Sequence, residues 1–176
     1  MRLFVAIRPP RLIRERLLAM MGGVSGARWR TDDQLHLTLR FIGETDRHLA
    51  TDVAAALAGV SQAGFEIRLD GLGWFDARGR PETLWAAVTP EAPLKSLHKK
   101  IDRALDRIGV PPDRRAFAPH ITLARLKPGS GPLGGLLEQL GGFSSQPFAV
   151  DSFGLYESDL TPDGAVYSLA ERYRLL

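Results

Sequence analysis

The chain contains no cysteine. That excludes disulfides, a thiolate nucleophile, and thiolate-bound zinc or iron–sulfur clusters. No apolar run approaches the roughly 20 residues that a membrane-spanning helix needs. The N-terminal run Leu3-Phe4-Val5-Ala6-Ile7 is cut short by Arg8, Pro9 and Pro10, so it is too brief for the core of a secretory signal. A cytoplasmic protein is expected. Lysine is scarce: of 23 basic residues, 19 are arginine. Guanidinium groups fork onto phosphate oxygens, so this balance, with a net charge of +3, suits a polyanionic partner without demanding one. Histidine is scarce too, with four in 176 residues: His36, His48, His98 and His120.

Several catalytic signatures are missing. There is no His-x-His or His-Glu-x-x-His, and no carboxylate lies within two residues of His36 or His120, so no metal is expected. No Gly-x-Ser-x-Gly elbow supports a serine hydrolase, and nothing requires a cofactor.

What is present is an average soluble composition, 44% apolar and 24% charged, at the length of one domain. Strand-like and helix-like patterns alternate. Leu3–Ile7 predicts a strand, and Pro9–Met21 a helix that Gly22-Gly23 stops. Leu35–Phe41 predicts a second strand. Thr45 or Asp46 caps a helix carrying Leu49, Val53, Leu57 and Val60. Phe65–Leu69 predicts a third strand. After a Gly/Arg/aromatic loop at Gly71–Pro81 the order begins again: strand Leu84–Val88, helix Pro93–Ile108, strand His120–Ala124, a short helix around Leu133–Leu140, and closing strands Phe148–Tyr156 and Ala165–Tyr173. Val5 precedes His36 by 31 residues and Val88 precedes His120 by 32. The expectation is one α+β domain of two similar lobes, roughly 1–80 and 81–176. Each lobe is an antiparallel sheet packed with helices, related by a pseudo-twofold around a central cleft, with the C-terminal strands free to cross between lobes.

Two histidines sit in matching tetrapeptides, His36-Leu37-Thr38-Leu39 and His120-Ile121-Thr122-Leu123. With eight threonines in the chain, two of four histidines gaining Thr two places on has a chance of order 1%. Strand side chains alternate faces. Leu35, Leu37, Leu39 and Phe41 then form a core face, while His36, Thr38 and Arg40 face a groove. In the second strand His120 and Thr122 face it. Two imidazoles can take and give a proton near neutral pH, and hydroxyls beside them can hold phosphate oxygens. That is the equipment for opening a cyclic phosphodiester. His48 and His98, in polar stretches of helices, are expected at the surface. Arg28, Arg30, Arg114 and Arg115 could funnel an RNA backbone, although solvated loop charge explains them equally well. Phe4, Trp29, Phe117 and Tyr156 could stack on a base or pack in the core. Trp74-Phe75 could form a lid.

The paired His-x-Thr-Leu motifs resemble those of the 2H phosphoesterase superfamily. Arg2–Ile7, His36–Glu44, Phe117–Arg125 and Leu155–Ser158 resemble its RNA 2',3'-cyclic phosphodiesterase branch, also known as 2'-5' RNA ligases. The resemblance implies hydrolysis of a terminal 2',3'-cyclic phosphate to a 2'-phosphomonoester. It implies His36 as proton donor, His120 as proton acceptor, and Thr38 and Thr122 holding the phosphate. Arg125 matches the family's basic position, yet strict alternation turns it away from His120 unless the strand bulges. Arg40 is a further substrate-binding candidate. The expected partner is an RNA or nucleotide end with a 2',3'-cyclic phosphate, bound by a monomer that needs no membrane and no obligate protein partner. A reversible 2'-5' RNA ligase and a non-catalytic RNA-end-binding module are the alternatives.

Overall fold

Five consecutive apolar residues near the N-terminus belong to a strand covered on both faces. In the computed structural model, which describes residues 1–176, strand β1 spans Arg2–Ile7. Leu3, Val5 and Ile7 enter the main core beneath the helices, whereas Phe4 and Ala6 enter a separate aromatic layer with Tyr156. Both faces are buried, so the sequence reads as a run rather than an alternation.

The remaining elements follow in order. Helix α1 is Arg11–Ala19, strand β2 is Arg28–Trp29, and a short 3₁₀ turn occupies Asp32–Gln34. Strand β3 is Leu37–Glu44 and helix α2 is Arg47–Ala58, capped by the Asp46 side chain accepting from Leu49 N–H. Strands β4 and β5 are Phe65–Ala77 and Arg80–Thr89. Helix α3 is Ala92–Asp106, strand β6 is His120–Arg125, and helix α4 is Gly134–Leu140. Strands β7, β8 and β9 are Phe148–Val150, Ser152–Thr161 and Gly164–Arg174. No helix is long and apolar enough to cross a membrane.

The expected loop at Gly71–Pro81 is instead a hairpin. Trp74 pairs with Leu84 and Phe75 with Thr83, around a two-residue turn at Arg78-Gly79. Both turn residues have positive φ, 55° and 78°, which matches the twist of the flanking strands. The glycines mask the strand pattern. At Gly73 the absent side chain is a packing requirement, because a Cβ there would lie 2.2 Å from the Trp85 indole.

The strand order is β7-β4-β5-β6-β3-β1-β8-β9, with β2 pairing to β6, and every pairing is antiparallel. β3 and β6, the two strands that carry the His-x-Thr motifs, lie at the centre and meet at the single register Leu37↔Ile121. Chain halves and sheet halves do not coincide. β4, from the first half, pairs with β5, while β8, from the second, pairs with β1. Leu94, Leu97, Ile101 and Leu105 of α3 are fully buried, each contributing on the order of 2 kcal/mol.

Candidate active site

Both central strands break the alternation at the same place. Along β1–β3, Val5 pairs with Arg40 and Ala6 with Thr38, so Leu39 is an extra, bulged residue. Along β5–β6, Leu84 pairs with Ala124 and Trp85 with Thr122, so Leu123 is its counterpart. A bulge places two successive residues toward one side and flips those beyond it. Leu39 and Arg40 are therefore both buried, as are Leu123 and Ala124, and the next residues, Phe41 and Arg125, return to the groove. The bulge that Arg125 needs is present.

Two expectations are corrected by this irregularity. Phe41, expected in the core with Leu35 and Leu39, is 60% exposed and lines the groove. Arg40, expected to offer its charge to the groove, does border the His120 half but is 5% exposed, ion-paired to Asp102, and donates to the Pro111 carbonyl. Its charge is already engaged. A third correction concerns His98, which is not at the surface. Its side chain is 14% exposed and its ring stacks on Phe117. His48 is exposed as expected.

The groove has two connected halves that share Arg30, Thr38, Phe41, Arg115, Thr122 and Arg125. The larger, about 790 Å³, contains His36; the smaller, about 520 Å³, contains His120. The structure thus brings His36, His120, Thr38, Thr122 and Arg125 to one depression. Its two halves differ in charge. Six cations, Arg2, Arg28, Arg30, Arg115, Arg125 and Lys127, line the His36 half, and no carboxylate does. Glu82 and Asp113 line the His120 half, together with Arg30, Arg40, Arg115 and Arg125. Burial lowers the Arg30 pKa, with Arg125 and Arg28 adding like-charge repulsion and Tyr167 opposing. Such crowding favours an anion between the cations.

His36 precedes β3, just after the 3₁₀ turn whose start is fixed by a capping box between Thr31 and Gln34. Its ring lies edge-on to Tyr156 at 4.7 Å, to Tyr167 at 5.5 Å and to Phe4 at 6.0 Å. Neither ring nitrogen makes a well-formed hydrogen bond within the chain, although the Gln34 backbone lies close enough to favour the ring's cation. Burial in this aromatic cage pushes its pKa down to about 4, assisted by the charges of Arg8 and Arg14; the Gln34 backbone and Asp33 pull the other way. Tyr167, in the middle of a closing strand, has no sequence signal marking it.

His120 is held differently. Its Nδ1 lies 2.7 Å from the Ala118 carbonyl. A carbonyl only accepts, so Nδ1 carries the proton and Nε2 is left as the basic nitrogen of the neutral ring. Burial lowers its pKa, and the Ala118 bond opposes that shift. Phe75, on the β4–β5 hairpin, stands edge-on at 4.9 Å, with Trp85 at 5.9 Å. No three histidine, aspartate or glutamate side chains converge in an arrangement that could hold a metal ion.

Comparison with known proteins fixes the family. The family model described as the 2'-5' RNA ligase superfamily matches residues 9–162, which include both His-x-Thr motifs. The chain belongs to the 2'-5' RNA ligase superfamily. Among superfamily relatives, an Aeropyrum pernix protein named RNA 2',3'-cyclic phosphodiesterase is 35% identical over 139 residues, covering 77% of this chain and 79% of the relative. A solved Thermus thermophilus structure superposes with a TM-score of 0.84 at 28% identity, covering 99% of this chain and 97% of that one. Escherichia coli LigT, crystallised with 3'-AMP, superposes with a TM-score of 0.77, also at 28% identity, with the same coverage. The mixed helix and antiparallel-sheet architecture is thus shared with this superfamily.

Proposed function

We propose that the protein hydrolyses RNA ends carrying a 2',3'-cyclic phosphate, by metal-independent acid–base catalysis with His36 and His120. The observation that carries this reading is the pairing of two histidines, each with a threonine two places on, across one basic groove. The name of the Aeropyrum relative and the 3'-nucleotide bound by LigT agree with it.

The chemistry then follows. His120 Nε2 takes a proton from water as the water oxygen bonds to phosphorus. The bond from phosphorus to one ribose oxygen breaks, and His36 gives that oxygen a proton. Thr38, Thr122 and Arg125 hold the non-bridging oxygens, where charge accumulates. The product is a phosphomonoester, placed on the 2' oxygen by resemblance to the family.

Charge asymmetry supports the assignment of roles. In-line displacement puts the departing oxygen opposite the attacking water, so the ribose and the chain behind it lie on the acid's side. The His36 half, with six cations and no carboxylate, suits those upstream phosphates. A ligase would bring a second polyanionic strand past His120, where Glu82 and Asp113 offset part of the charge of Arg30, Arg40, Arg115 and Arg125, so this half offers a strand less than the His36 half does.

The test is turnover of a short RNA ending in 2',3'-cyclic phosphate, with EDTA present, across pH. EDTA-resistant hydrolysis with a bell-shaped profile is expected. Both histidines are depressed from the ordinary 6.5 in the free protein, so the kcat/KM optimum should fall on the acid side of 6.5. The kcat profile should shift to higher pH as bound phosphate stabilises the His36 cation. Binding without turnover would leave an RNA-end-binding module.

A further inference from the structure

A β-bulge leaves its extra residue outside the ladder, so the carbonyl of that residue must find a partner elsewhere. The two bulges solve this differently. The Leu123 carbonyl accepts from the backbone N–H of Arg30 at 2.8 Å. The Leu39 carbonyl instead faces His98 Nδ1 at 2.7 Å. On the other side of the same ring, Nε2 lies 3.1 Å from Asp102 Oδ2. Both partners are acceptors.

The links extend beyond the ring. Asp102 also holds Arg40, which donates to the Pro111 carbonyl. The ring of His98 stacks flat on Phe117, centroids 4.2 Å apart at 9°. Phe117 is followed by Ala118, whose carbonyl orients His120. One side chain from α3 therefore touches the bulge behind Thr38 and the loop in front of His120.

We propose that His98 is a positioning residue, which sets the spacing between the His36/Thr38 and His120/Thr122 pairs by clasping the Leu39 bulge to the 111–119 loop. The proposal rests on the two-histidine reading above. It makes one catalytic strand depend on a side-chain clasp where its counterpart uses a backbone bond.

Two isosteric substitutions test it. In His98→Asn the amide nitrogen takes the place of Nδ1 and can still donate to Leu39. In His98→Gln the amide nitrogen takes the place of Nε2, so the contact with Asp102 survives and the bond to Leu39 is lost. Neither amide reproduces the ring that stacks on Phe117, so kcat should fall in both variants, by up to about tenfold in His98→Asn, which keeps the Leu39 bond, and by roughly 10- to 100-fold in His98→Gln, the range for a misplacement of about 1 Å. KM should change less than about twofold in both. The NMR resonance of His120 Nδ1–H should shift in both variants, and further in His98→Gln. Thermal melts establish that both variants are folded. Equal kcat and an unmoved His120 resonance in the two variants would overturn the proposal, as would a kcat loss that simply follows melting temperature. If wild-type protein does not turn over cyclic-phosphate ends, the functional reading fails, and the His120 resonance still decides whether His98 positions that ring.

Discussion

His120 is tied to the Ala118 carbonyl at 2.7 Å, whereas His36, just ahead of the equivalent strand, makes no well-formed hydrogen bond through either nitrogen. The tied ring has one basic nitrogen and stands in a half-groove of mixed charge. The untied ring stands in an aromatic cage, with its pKa pushed to about 4, and opens onto a wall of cations. A base benefits from a fixed tautomer. An acid that must accept a proton and then give it up at the right moment benefits from an environment that makes the proton leave easily. In that reading the burial of His36 lowers the cost of protonating the leaving oxygen, and the anionic substrate supplies the charge that loads the proton.

The largest effect should come from removing either ring. His36→Ala and His120→Ala should each lower kcat about 10²- to 10⁴-fold on a cyclic-phosphate-ended RNA. The losses should be similar, since both proton transfers occur in one displacement. Activity that survives one substitution would break the comparison at its root.

Next in size is a stability effect that His36 dominates, with the lowered His120 acting in the same direction. His36 has an ordinary pKa of 6.5 when unfolded and about 4 when folded. The unfolded chain therefore binds a proton that the folded chain refuses, and stability falls as pH drops from 6.5 toward 4. The loss is about 3 kcal/mol. Chemical denaturation at several pH values should show this decline in the wild type and a flatter curve in His36→Gln. An unchanged decline in the variant would place its origin elsewhere.

A smaller effect should separate the halves by charge. The double substitution Arg2→Ala with Lys127→Ala should raise KM for a cyclic-phosphate-ended oligonucleotide about tenfold. The slope of log affinity against log salt should drop by roughly one per charge removed. A nucleoside 2',3'-cyclic phosphate, which has no upstream phosphates, should respond less. Equal responses would mean that the chain does not run along the His36 half.

Much of this comparison is legible in the residues, and the parts that are not share a cause. Period-2 and helical spacing locate the strands and helices, and the repeated His-x-Thr locates the groove. Alternation then misplaces Phe41 and Arg40, because it assumes an unbroken pleat and Leu39 is bulged. A bulge depends on what lies across the ladder, so no local pattern announces it. His98 misleads for a related reason. Its neighbours along α3 are polar, and the acceptor that draws it inward, the Leu39 carbonyl, lies 59 residues away. The hairpin at Trp74-Phe75 reads as a loop because Gly71, Gly73 and Gly79 suggest turns, yet Gly73 is there to admit the Trp85 ring.

The smallest expected effect tests the His120 half. Glu82 lines that half and lies 3.8 Å from Arg125. Water entering past it is indifferent to its charge, but a second RNA strand offering a 5'-hydroxyl brings phosphates against it. Glu82→Gln should therefore leave hydrolysis almost unchanged and raise the ratio of joined to hydrolysed product in excess 5'-hydroxyl RNA about twofold, the scale of one exposed charge. The ratio is the sensitive quantity, because both products share the same acid, base and phosphate contacts. Should the ratio stay fixed while both rates rise, the effect of Glu82 would be on Arg125 and the bound cyclic phosphate. An incoming strand would then have to approach from outside this half of the groove.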